Sequence, residues 1–161
     1  MESSVNPFAA LSLIVAPAIL TNACAVLAMS TSNRLARAVD RARELLRQVE
    51  ADADGEERTR SMRDLVITQD RAVMLLRVLR SFYVALAGFA LATLVSLIGA
   101  AAAAAGPRPI VIGFELLGLA AGVIGVSALM HGAVVLVRET RIAVAHLQTR
   151  VAQARATLRQ L

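Results

Sequence analysis

Three apolar runs, residues 8–29, 82–105 and 110–137, dominate this chain, and each gives way on one side to a stretch dense in arginine. As helices rising about 1.5 Å per residue, all three runs are long enough to cross a hydrocarbon core of about 30 Å. Of the 17 basic residues, every one an arginine, only Arg108 lies outside the stretches 34–80 and 138–159. Arginines near membrane spans are retained on the cytoplasmic side. The pattern therefore predicts a three-span protein with both arginine stretches in the cytoplasm, the N-terminus in the periplasm and the C-terminus in the cytoplasm.

A chain that is 57% hydrophobic and 18% charged must be divided between two solvents. The net charge of +5 resolves by segment: residues 34–80 carry 11 arginines against 9 acids, while the tail from Arg138 carries 5 against Glu139 alone. Nucleic acid is not expected as a partner, because acids interleave the arginines and aromatic side chains for base stacking amount to 3% of residues. Anionic headgroups are the better match for arginines beside a span. No cleaved leader is expected, since nothing basic precedes the first apolar run. The single cysteine, Cys24, lies within that run and offers no intrachain disulfide.

Helical periodicity continues beyond each span. Leu35, Val39, Ala42, Leu46 and Val49 recur at alternating spacings of four and three, as in a coiled-coil seam. The acidic stretch 51–57, with Gly55, reads as a turn. A second seam, Met62, Leu65, Gln69, Ala72, Leu76, Leu79 and Tyr83, reinforced by Val66 and Val73, leads into span two, and a third, from Val137 through Thr140 and Val144 to Leu161, follows span three. The expectation is a single all-α membrane domain over 1–161, with a cytoplasmic helical hairpin at 33–80 and a C-terminal helix at 138–161 packed as a coiled-coil-like stalk. Gly106 to Pro109 makes a tight turn between spans two and three.

Several residues are candidates for chemistry or assembly. Glu115 is the formal charge inside an apolar run, and at 100° per residue it shares a helical face with Gly118, Gly122, Gly125 and Gly132. Small residues let helices approach, and a ring of carboxylates at a pore mouth attracts cations. That face is the candidate interface or pore; the alternative for Glu115 is a residue reaching the outer headgroups. Pro17 interrupts the backbone ladder of span one and is a hinge candidate, with Thr21 and Ser12 available to satisfy nearby carbonyls. Thr21 and Asn22 are also candidates for the interface, where polar and small side chains such as Cys24 act as glue. His131 is a candidate proton sensor, or an interfacial structural residue. Arg34, Arg37, Arg41, Arg80 and Arg138 border the spans and are candidate contacts for lipid headgroups. No catalytic constellation, metal-ligand cluster or phosphate-binding loop appears, so neither an enzyme nor a cofactor is expected.

The stretch APAILTNACAVLAMSTSNRLARAVDRARELLRQ, with proline early in the span, a small-residue and cysteine segment, and an Asn33-Arg34-Leu35 boundary followed by Arg37, Asp40 and Arg41, resembles a family of small bacterial three-span membrane proteins of unknown function, domain of unknown function 2721. The later RAVMLLRVLRSFYVALAGFAL and VRETRIAVAHL are similar in kind. The resemblance implies a bacterial inner-membrane protein and supplies no activity. Together these readings favour a non-enzymatic, homo-oligomeric scaffold or regulatory subunit, assembled through the glycine face of span three and able to recruit a cytoplasmic protein partner. A homo-oligomeric cation channel is the alternative.

Overall fold

The computed structural model describes the backbone of residues 7–51, 55–103 and 107–158, with side chains from 15 to 144 within those segments. The described residues form three helices: α1 (Pro7–Ala51), α2 (Glu56–Ala103) and α3 (Arg108–Leu158). Each is long and apolar enough to cross a membrane. Helices α1 and α3 continue beyond the arginine side of their apolar runs and α2 begins well before its own, because Ala, Leu, Arg and Glu on either side of the solvent change are all strong helix formers.

Helix boundaries follow local chemistry. Gly55 has a φ of 98°, a conformation that costs a side-chain-bearing residue dearly. Its carbonyl accepts the Thr59 N–H at 3.3 Å and the Thr59 hydroxyl at 3.2 Å, which starts α2. Glu56 and Glu57 occupy the first turn, favourably placed at the positive end of the helix dipole. At the start of α3 the Ile110 N–H closes on the Pro107 carbonyl at 3.0 Å. Helix α1 runs on through Pro17, where the Thr21 hydroxyl donates to the Pro17 carbonyl at 2.8 Å.

The chain divides into two compact units. The apolar unit comprises α1 up to Ser32 and Leu79–Gly132. Its core is drawn from one stripe of α2, Phe82, Ala85, Phe89, Ala92 and Val95, all nearly inaccessible, with Cys24 and Ala28 of α1 and Ala121 of α3. Leu20, Leu86, Ala128 and Leu129 pack around Cys24, Ala85 and Phe89. Helices α2 and α3 meet backbone to backbone at Gly88, where an added Cβ would lie 2.9 Å from the Gly125 Cα and 3.0 Å from the Ala121 carbonyl oxygen. Of the most apolar window of each helix, 33% is buried in α2, 17% in α1 and 11% in α3, so α2 is the central element and the other two face outward over most of their surface.

The charged unit comprises Asn33–Val78 and the part of α3 that begins at Ala133. Ala38, Leu45 and Val49 of α1, Leu75 and Val78 of α2 and Glu139 of α3 are its buried residues. The expected seams are buried only in part: Val49 and Leu79 are buried, and Leu35, Val39, Ala42, Leu65 and Ala72 are half-buried. Leu46, Met62, Gln69, Leu76, Val137, Thr140 and Val144 are exposed, and so are Val66 and Val73. In the apolar unit, the Tyr83 that closed the second seam is also exposed. Ala38, Leu45 and Leu75 are buried one position before the expected Val39, Leu46 and Leu76, about 100° of rotation. Apolar residues occupy two adjacent registers there, and the packing adopted places Glu139 among the arginines. The end of the third seam, from His146 to Leu161, lies outside the described side chains.

Candidate functional site

A single carboxylate organises the charged unit. Glu139 follows the third apolar run by two residues, is 2% exposed, and is the one buried acid among the described residues. It lies on α3 within the charged unit.

An unpaired charge in such a position would be costly, so its partners decide whether the arrangement stands. The Arg71 Nε of α2 donates to Glu139 Oε1 in a short, charge-assisted hydrogen bond. The Arg34 guanidinium of α1 sends Nη1 to within 3.5 Å of Oε2, an ion pair without a hydrogen bond, and Oε2 has no hydrogen-bond donor at all. All three helices are thus tied to one side chain. The arginines are unlike the acid in exposure: 37% and 48% of the Arg34 and Arg71 side chains remain accessible, against 1% for Glu139. One negative and two positive charges leave the cluster with a surplus positive charge on the accessible side.

Asp40 with Arg43, Glu44 with Arg47 and Glu56 with Arg60 each pair along a single helix and stay substantially exposed. Such pairs contribute little.

The structure redistributes the expected site residues. Arg34, expected at lipid headgroups, is engaged by Glu139. Arg37, Arg41, Arg80 and Arg138 are exposed. In the apolar unit the glycine face of span three is divided. Gly125 and Gly132 pack within one chain, with an added Cβ 2.9 Å from the Phe89 ring and 2.7 Å from the Phe82 ring respectively, which corrects the intermolecular role expected of them. Gly118 makes ordinary contact with Ser96 and Val95, and Gly122 has open space beside it. Glu115, Asn22 and His131 are exposed, whereas Thr21 is half-buried and bonded to its own helix.

Arg71 and Glu139 were not singled out from the sequence. One signal could have found them: Glu139 is the sole acid in the tail that starts at Arg138, and an acid isolated among arginines invites the question of what neutralises it.

Comparison with known proteins agrees with the architecture and adds no chemistry. A family model described as "Protein of unknown function (DUF2721)" matches residues 14–149. The chain belongs to the DUF2721 family. No curated protein and no solved structure matches the chain. The matched span takes in Arg34, Arg71 and Glu139, so the ion cluster lies within the family domain.

Proposed function

We propose that this chain is a non-enzymatic, homo-oligomeric scaffold or regulatory subunit of the bacterial inner membrane, with its N-terminus in the periplasm and its charged unit in the cytoplasm as a helical stalk. Arginine density beside the spans supports the orientation. The observation that carries assembly is the outward display of polar side chains, Asn22 and Glu115 among them, on largely apolar helices. Hydrocarbon cannot hydrogen-bond them, and a second copy can. In the charged unit, α2 exposes Met62, Val66, Val73 and Leu76, apolar surface outside the spans that suits a protein partner. Arg34, Arg37, Arg41, Arg80 and Arg138 provide contacts to anionic headgroups. Crosslinking in native membranes followed by sizing in mild detergent tests the reading: multimers that dissociate in Asn22→Val support it, and a strict monomer that retrieves no partner refutes it.

A cation channel is the second reading, favoured by the position of Glu115 on an outward face of α3 with Gly122 open two turns on. In an assembled ring that face supplies both a carboxylate and the small residue that permits close approach. Ion flux in protein-loaded vesicles, altered in selectivity by Glu115→Gln, would establish it; vesicles that stay tight across voltage and pH would leave the scaffold.

A further inference from the structure

The cluster around Glu139 is unevenly made. Arg71 is committed through a hydrogen bond, but Arg34 is held at 3.5 Å by Coulomb attraction alone, well beyond the roughly 2.7–2.9 Å of a charge-assisted bond. Its side chain is more than one-third accessible, and a guanidinium presents forked donors that suit a phosphate in two-point contact. Arg34 stands five residues past the end of the first apolar run, about 8 Å along the helix, at the level of lipid headgroups. Arg37 and Arg41, exposed on the following turns, reinforce the positive potential there. Arg34 therefore has two acidic partners within reach, one inside the protein and one in the membrane.

We propose that Arg34 alternates between Glu139 and the phosphate of an anionic lipid, so that headgroup binding unlatches α3 from α1 within the charged unit. This rests on the reading of the span-bordering arginines as lipid contacts and adds a consequence to it. When phosphate takes Arg34, Glu139 keeps Arg71, but its buried Oε2, already without a hydrogen bond, loses the cation beside it, and the packing around Glu139 loosens. Linkage makes the effect reciprocal: whatever frees Arg34 from Glu139 must strengthen its hold on phosphate by the same factor.

The test uses full-length protein in nanodiscs of phosphatidylcholine alone or mixed with phosphatidylglycerol, with amide hydrogen exchange read over residues 133–144 and bound lipid read by native mass spectrometry. Phosphatidylglycerol should speed exchange at least about fivefold, the lower end of typical coupling. Glu139→Gln should exchange fast in both discs and retain more phosphatidylglycerol than the wild type. Arg34→Gln should lose the response to lipid, and Arg34→Lys, which keeps the charge and the fold but not the forked donors, should show a weaker one. Wild-type protein that retains phosphatidylglycerol through Arg34 with unchanged exchange overturns the latch and leaves the lipid reading standing. Equal retention of both lipids removes that reading and the latch with it. Inorganic phosphate added to phosphatidylcholine discs should be without effect; if it reproduces the faster exchange, the headgroup assignment falls.

Discussion

In the apolar unit α2 and α3 touch backbone to backbone at Gly88 and Gly125, whereas in the charged unit α3 is joined to α1 and α2 through one carboxylate. The same three helices are held by two kinds of force because their two solvents differ. Lipid tails are as apolar as leucine, so helices inside them gain little from burying leucine and associate through close contact, which small residues permit. Outside the bilayer, water competes for every charge, and arginines on a helix surface ordinarily contribute little. Withdrawing one acid from water and surrounding it with arginines from two helices gives a contact that only one alignment of the three can satisfy, a source of specificity more than of net stability.

The largest effect expected from breaking this contrast is at Glu139. Removing one partner from a buried ion pair costs about 3–5 kcal/mol, and because the stranded arginines can turn to water, Glu139→Ala should lose about 2–3 kcal/mol in reversible unfolding in detergent. A loss under about 0.5 kcal/mol would mean that the cluster is ornamental. Gly88→Ala should come next, at about 1–3 kcal/mol, because the new methyl meets the α3 backbone, which cannot rotate away as a side chain can. Gly122→Ala, with open space beside it, should stay within about 0.5 kcal/mol in the same assay. If the two alanines behave alike, close approach is not what holds the apolar unit.

Smaller effects sharpen the picture. Gly55→Ala should cost about 1 kcal/mol, localised to faster hydrogen exchange at the start of α2, since its φ of 98° strains any residue with a Cβ. Glu44→Gln removes a pair with Arg47 in which both side chains are substantially exposed, and should change stability by no more than about 0.5 kcal/mol. A Glu44→Gln penalty approaching that of Glu139→Ala would erase the distinction between a buried acid and a solvated one.

Much of the fold was legible because its signals are local. A run such as residues 82–105 is apolar whatever surrounds it, and Gly55 after an acidic stretch marks a break in any context. The register of packing was harder to read. Leu46 and Leu45 are adjacent and equally apolar, as are Leu76 and Leu75, and periodicity alone cannot say which of each pair turns inward. The candidate site follows the same division: the arginines beside the spans are evident in the sequence, but the pairing of Arg34 with Glu139 is not, because the two lie more than a hundred residues apart.

Span number, helix length and the placement of arginine beside each span were determined by the amino-acid sequence alone, since hydropathy and helical rise are sums over neighbouring residues. That Glu139 lies buried between Arg34 and Arg71, that Gly125 and Gly132 serve one chain, and that Asn22 and Glu115 face outward were decided only by tertiary structure. Which face of a helix is inside is a property of the neighbours it meets, and a helix does not carry its neighbours in its own sequence.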